Sequence, residues 1–502
     1  MSKVLIIGGG VAGLSAGIYA RMAGLDAVIC EKHSVPGGNL TGWQRGGYHI
    51  DNCIHWLTGT NPATDTYKMW EELGALGGGV GIRKIETLFS CERGGETLAV
   101  YRDLEKTRRE MLNISPADKK EIEALFSAVK TVQGLSGLSG EEHNENYGFI
   151  KTALTAPSLL KYYRLTTGEL AKRFSHPLIK SFLTSFLTDR FMSLALVIVI
   201  AHFCGENANL PVGGSLDMAR RMAERFERLG GEIQTKKEVV GINRYKNRAV
   251  SVTFADGSEA DADHFIITAD PASVFGQITD VPMPKALRRS YENKRLIRFS
   301  CCHTAFSCDV DVPIKGDFAF EIPESYRLRM GADHIILREF SHEKDFSPSG
   351  KSLIQTMTFC SEKYARNLIE LRRDRDEYEK RKESIASMTQ RMIEEKFPQL
   401  VGKLKCIDVW TPATYNRYLG AEMGAFMGFA ISSNVIPTRK SNKIKGFSNV
   451  LLAGQWLRAP GGLPIAAASG KRAAEILMKK EGLRFLAAGR RDSEKQLGYG
   501  TT

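Results

Sequence analysis

Four apolar residues, Val4–Ile7, run into Gly8-Gly9-Gly10-Val11-Ala12-Gly13. An Ala-rich stretch comes next, then a second apolar run, Ala27–Cys30, that stops at the acidic Glu31. Short continuous apolar runs suit strands buried on both faces, so this opening predicts strand, turn, helix, strand. Similar runs recur at His264–Asp270 and Val450–Gly454, the second leading through a Gly-rich loop into a helix from about Pro464. Between them the pattern predicts a helix over Leu216–Leu229 and short strands at Gly230–Ile233, Glu238–Ile242 and Ala249–Val252, with a turn at Asp256-Gly257. Asp374–Lys396 is dense in mixed charge and reads as a solvated surface helix. The tail after about Leu486 has no apolar period and reads as loose.

Each part of the opening motif has a physical task. Gly8 permits the tight turn, Gly10 lets the backbone approach a pyrophosphate, and Gly13 lets helix and strand pack closely. The helix that starts at Val11-Ala12 offers free N–H groups and a positive dipole end to phosphates. Glu31, eighteen residues beyond Gly13, stands where a carboxylate accepts hydrogen bonds from a ribose. Together these features predict a bound dinucleotide.

The stretch beyond Glu31 narrows the choice. Glu31-Lys32 leads through Pro36 to Gly37-Gly38-Asn39-Leu40, and then to Gly47-Tyr48-His49-Ile50-Asp51. This extension resembles the FAD-binding amine oxidase and phytoene desaturase superfamily, a group that includes carotenoid isomerases and a retinol saturase. Its members often carry Arg after the Gly pair where this chain has Asn39. The C-terminal Val450–Gly454 run and the Gln455–Ala474 stretch, with Gly461-Gly462-Leu463-Pro464 and Ala466, resemble the loop and helix that close the flavin site in phytoene desaturases. Such a helix start stabilises negative charge on a reduced flavin, and Pro464 has no N–H to waste there. Thr411-Pro412 and Gly424–Gly428 match two further family segments, and the resemblance places the Val239 backbone against the adenine.

The resemblance implies an α/β fold: a Rossmann-like FAD-binding domain of the glutathione-reductase/amine-oxidase type with an inserted α+β substrate domain. The cofactor domain is expected from residues 1–85, 205–272 and 425–485, the substrate domain from 86–204 and 273–424, and a loose tail from 486–502. It implies cofactor contacts from Gly8, Gly10, Val11, Ala12, Gly13, Glu31, Lys32, Gly37, Gly38, Asn39, Leu40, Val239, Gly454, Gly462, Leu463, Pro464 and Ala466. It also implies hydride transfer at flavin N5 with a hydrophobic polyene or isoprenoid substrate, in desaturation, saturation or isomerisation. Two alternatives stay open: a flavin amine oxidase or porphyrinogen-oxidase-like enzyme, and a non-catalytic prenyl-protein binder of the GDP-dissociation-inhibitor type.

Composition agrees. At 502 residues and 43% hydrophobic, the chain can bury the cores of two domains. Nine scattered cysteines without C-x-x-C suit reduced thiols in a cytoplasmic protein. Gly77-Gly78-Gly79 lacks an apolar run in front, so no second dinucleotide fold is expected and an electron partner must reach the flavin directly. The first strand begins almost at Met1, which predicts no signal peptide. The longest apolar run, Leu194–Ala201, is well short of the ~20 residues of a membrane span. The net charge of +12 is spread out and no nucleic-acid motif appears, so nucleic acid is not an expected partner. Without H-E-x-x-H or a paired His/Cys set no metal is expected either. Residues 151–190 interleave Lys151, Lys161, Arg164, Lys172, Arg173, Lys180 and Arg190 with aromatic and aliphatic side chains. They read as helices packed over the substrate cavity with a charged face in water, the rival being a peripheral membrane contact.

For chemistry beside the flavin, Asp51-Asn52-Cys53-Ile54-His55-Trp56 continues the segment that in relatives leads toward the ring system. His55 is the candidate proton donor or acceptor and Trp56 a cavity wall. A packed structural histidine is the plain alternative. Trp456 and Arg458, beside the Gly-rich loop, are weaker candidates.

Overall fold

The computed structural model describes residues 2–136, 156–314, 316–436 and 438–483. Lys151 and the tail 486–502 therefore lie outside the described residues. One sheet is wholly parallel, in the order Glu232–Gln234, Asp26–Cys30, Lys3–Ile7, His264–Ile267, Val450–Leu452. Successive residues of a strand face opposite sides. Val4 and Ile6 accordingly pack under the helices Val11–Met22, Gly214–Arg228 and Leu463–Lys480. Leu5 and Ile7 pack on a small antiparallel sheet of Val239–Tyr245, Arg248–Phe254 and Glu259–Asp261. Both faces are covered, which is why these strands read as unbroken apolar runs.

The first and last helices cross at Gly470. A Cβ there would lie 2.2 Å from the Ala12 carbonyl oxygen, so only glycine allows this approach. Ser15 Oγ donates to the Ala467 carbonyl at 2.7 Å beside the crossing.

The second sheet has the order Leu404–Trp410, Ser300–Cys308, Ser352–Cys360, His334–Glu339, Asp317–Glu321, Thr87–Arg93, Glu96–Tyr101. It is antiparallel except where Asp317–Glu321 runs parallel to Thr87–Arg93. Helices Pro157–Arg164, Pro177–Ser185 and Ser193–Cys204 cover the face bearing Phe89, Ala319 and Ile336. The opposite face packs on Glu362–Leu371 and Arg375–Lys396.

Two expectations need correction. The charged helix Arg375–Lys396 is not wholly solvated: Ile385, Met388, Thr389, Met392 and Ile393 recur at helical spacing and are buried against the second sheet. The helix expected from Leu216 begins two residues earlier, at Gly214, because the Asp51 carboxylate accepts from both the N–H and the hydroxyl of Ser215, each at 2.6 Å. In the basic segment, Leu159, Tyr162, Phe174, Phe182 and Phe186 are buried, so the side chains a membrane-lying helix would insert point into the protein. Among the described residues no helix is long and apolar enough to cross a membrane. All nine cysteines are free thiols.

Candidate active site

A cavity of about 650 Å3 runs between the two sheets, in the upper part of the ~300–1,000 Å3 range of small-molecule sites. At one end it is lined by Gly8, Gly10, Val11, Ala12, Glu31, Lys32, Gly37, Gly38, Asn39, Leu40 and Val239, and alongside by Gly454, Gly462, Leu463, Pro464 and Ala466. His55 and Trp56 line the same cavity. Gly13 does not. A Cβ on Gly13 would sit 1.9 Å from the Gly8 carbonyl oxygen, so its task is to bring helix and turn together.

The glycine turn is drawn tight by Thr268, whose hydroxyl donates to the carbonyls of Ile7 and Gly8 at 2.9 and 3.1 Å. Gly10 differs from Gly13: the nearest atom to a Cβ there is Gly38 Cα at 3.8 Å, so open cavity lies in front of it. Gly462 likewise has nothing within 4 Å. Gly10 and Gly462 are the N-caps of the helices Val11–Met22 and Leu463–Lys480, and neither helix has a capping side chain or an acidic residue in its first turn. Unclaimed N–H groups and two positive helix ends thus border the cavity. Glu31 is buried, with its carboxylate accepting from Gly9 N at 2.7 Å and His33 N at 2.9 Å. Its remaining lone pairs suit ribose hydroxyls. The Glu31 carbonyl accepts from Lys237 N, which brings the Lys237–Val239 segment to the same wall. This donor set fits a dinucleotide with its pyrophosphate at Gly10.

Asn39 replaces the arginine expected after the Gly pair and works within the protein. Asn52 Nδ2 donates to its side-chain and backbone oxygens at 3.0 and 3.1 Å, and Tyr415 Oη donates to Asn52 Oδ1 at 2.9 Å.

Another part of the cavity is apolar, lined by Phe89, Phe186, Leu187, Phe191, Met357, Phe359 and Phe426. Trp56 stacks on Phe186 with ring centroids 5.3 Å apart. His55 is held by a buried pair that no local sequence signal announces. Its Nδ1 lies 2.7 Å from Asp317 Oδ2, and Arg338 Nε donates to Asp317 Oδ1 at 2.7 Å. Asp317 and Arg338 are cross-strand partners, and Arg338 Nη1 also donates to the Ile54 carbonyl, fixing the backbone just before His55. Burial alone would raise the Asp317 carboxyl, but the charges of Arg338 and His55 outweigh it and hold it at about 2. An ionised carboxylate only accepts, so the proton of a neutral His55 sits on Nδ1 and Nε2 is the free acceptor. Trp456 also lines the cavity and stacks on Tyr291 at 5.9 Å, whereas Arg458 is buried outside it.

The sequence matches the family described as flavin containing amine oxidoreductase over residues 11–478. It is 25% identical over 446 residues to the chloroplastic prolycopene isomerase of Daucus carota, covering 84% of this chain and 71% of that protein. It is 22% identical over 312 residues to the 1-hydroxycarotenoid 3,4-desaturase of a Flavobacterium species, covering 59% and 63%. A crystal structure of an oxidoreductase from Methanosarcina mazei superposes with a TM-score of 0.61 at 16% identity, covering 94% of this chain and all of that one, a likeness of fold. The chain therefore belongs to the flavin containing amine oxidoreductases, and it is an FAD-dependent oxidoreductase.

Proposed function

We propose that the protein changes carbon–carbon unsaturation in an apolar, isoprenoid-type polyene. The observation that carries this reading is one continuous cavity with dinucleotide-binding chemistry at one end and aromatic and aliphatic walls at the other. Similarity to proteins named for prolycopene and a hydroxycarotenoid supports the substrate class.

Residues 1–85, 205–272 and 425–485 hold FAD in this reading, and 86–204 with 273–424 hold the substrate. Gly8, Gly10, Val11 and Ala12 take the pyrophosphate and Glu31 the ribose. The Lys32–Leu40 loop and the Val239 backbone enclose the adenosine, while Gly454 and Gly462–Ala466 border the flavin ring. Held by these residues, FAD would supply the hydride chemistry at a substrate carbon. His55 Nε2 takes the proton from the neighbouring carbon in desaturation, or returns it in saturation. Asp317 keeps Nδ1 protonated and stabilises the imidazolium that forms. The Trp56–Phe186 stack presses on the polyene and excludes water.

Amine oxidation is the second reading, favoured by the family's name. The aromatic walls offer ring faces to an alkylammonium, but the buried carboxylate nearest His55, Asp317, is already taken by Arg338 and His55. The decisive experiment is anaerobic incubation of the FAD-loaded protein with acyclic polyenes, with and without a reductant, with analysis of the products. A product altered in its double bonds supports the proposal. Flavin reduction by primary amines but by no polyene overturns it.

A further inference from the structure

The helix Ser193–Cys204 lies along the apolar part of the cavity and shows it Ala195, Ile198, Val199 and His202. These positions are spaced i, i+3, i+4 and i+7, so they form one stripe on one helix face, roughly 10 Å long at ~1.5 Å per residue. Three members of the stripe are small or aliphatic. The fourth is an imidazole, half-buried and facing the cavity, and among the described residues its ring nitrogens make no hydrogen bond.

The position of His202 is fixed. Asn207 N donates to the His202 carbonyl at 2.8 Å, and the Asn207 carbonyl accepts from Gly59 N at 3.3 Å. Ala208 and Asn209 pair with Thr58 and Leu57. The His202 end of the stripe therefore adjoins Leu57-Thr58, which line the cavity two and three residues after His55. Burial lowers His202 to about 4, so it is neutral near pH 7 and presents one donor and one acceptor nitrogen. A pure hydrocarbon would leave both unpaired against apolar surface, a cost that a hydroxyl or carbonyl removes.

We propose that His202 forms a subsite for a polar oxygen, a hydroxyl or a carbonyl, carried by the polyene substrate. This rests on the polyene reading above and adds to it a preference: oxygenated over hydrocarbon polyenes. Nothing in it depends on His55 or on the direction of the redox reaction.

The test is equilibrium binding to the FAD-loaded protein, read by quenching of tryptophan fluorescence. The probes are two acyclic polyenes of equal length, one a hydrocarbon and one bearing a terminal hydroxyl. The wild type is expected to bind the hydroxylated probe about three- to tenfold more tightly, the reach of one neutral hydrogen bond. His202→Leu should remove the difference by weakening only the hydroxylated probe, and His202→Gln should restore part of it. Equal affinities in the wild type, or a preference that survives His202→Leu, overturns the subsite while leaving the polyene reading intact. Failure of both probes to bind overturns both.

Discussion

His55 Nδ1 lies 2.7 Å from Asp317 Oδ2, across 262 residues of chain, and Arg338 binds both that carboxylate and the carbonyl of Ile54. The arrangement sets the tautomer of His55 and holds its backbone, so that one imidazole nitrogen is available in a cavity otherwise lined largely by carbon.

His55→Ala should lower turnover by about 10²–10⁴-fold, the usual loss of a general acid or base. The amount of FAD bound should not change, because His55 is no part of the glycine turn or the Glu31 contacts. Flavin absorbance per chain and steady-state rate, measured on the same preparation, separate the two effects. Loss of flavin in parallel with activity contradicts the assignment.

Asp317→Ala should behave differently. It leaves Arg338 buried without its carboxylate, and breaking a buried pair costs about 3–5 kcal/mol. Denaturant unfolding should show that loss, with turnover lowered as well. A variant as stable as the wild type places the Asp317–Arg338 contact outside the folded core.

Glycines 10 and 13 should part company. Gly13→Ala drives a Cβ into the Gly8 carbonyl and should destabilise the protein by about 3 kcal/mol. Gly10→Ala meets no protein atom closer than 3.8 Å, so the fold should stand while FAD is lost to the Cβ in front of the pyrophosphate. Glu31→Ala should weaken FAD about ten- to a hundredfold, since hydrogen bonds to a charged group contribute ~1.5–3 kcal/mol. Denaturant unfolding reads Gly13→Ala, dialysis against FAD-free buffer reads Gly10→Ala and Glu31→Ala, and full flavin retention by Gly10→Ala would misplace the phosphates.

How much of the molecule was legible in its sequence depends on the range of the contacts. The glycine turn and Glu31 are local, and their spacing alone carries them. The Gly-rich loop before Pro464 is also local, though its contact with the first helix depends on Gly470, a residue that reads as an ordinary helix glycine. Asp317 and Arg338 face each other only through strand register, and nothing in either flanking sequence points toward His55. His202 is hidden in another way. Residues 194–201 are apolar all round the helix, so the stripe that meets the cavity cannot be told from the one that meets the core.

Stability should fall as the pH drops below about 6.5. Burial holds His202, His334 and His342 at about 4 and His303 at about 3 in the folded protein, below the unfolded value of 6.5. Between those values the unfolded chain binds more protons, each fully titrating group removing up to about 1.4 kcal/mol per pH unit. Asp317, lowered to about 2 from 3.8, adds to the loss between about pH 4 and 2, by an order of 2 kcal/mol in all. Denaturant midpoints from pH 8 to 4 check the first window. A flat profile there would mean that these histidines are protonated in the folded state.

The measurement that bears most directly on the shared cavity is a crystal structure of the FAD-loaded protein with an acyclic polyene bound. We expect the pyrophosphate at Gly10–Ala12 and the flavin ring beside Gly462–Pro464. The polyene should lie along Ala195, Ile198 and Val199, with a reacting carbon about 3–3.5 Å from His55 Nε2. A polyene seated outside this cavity, or a flavin ring turned away from His55, would contradict the whole assignment.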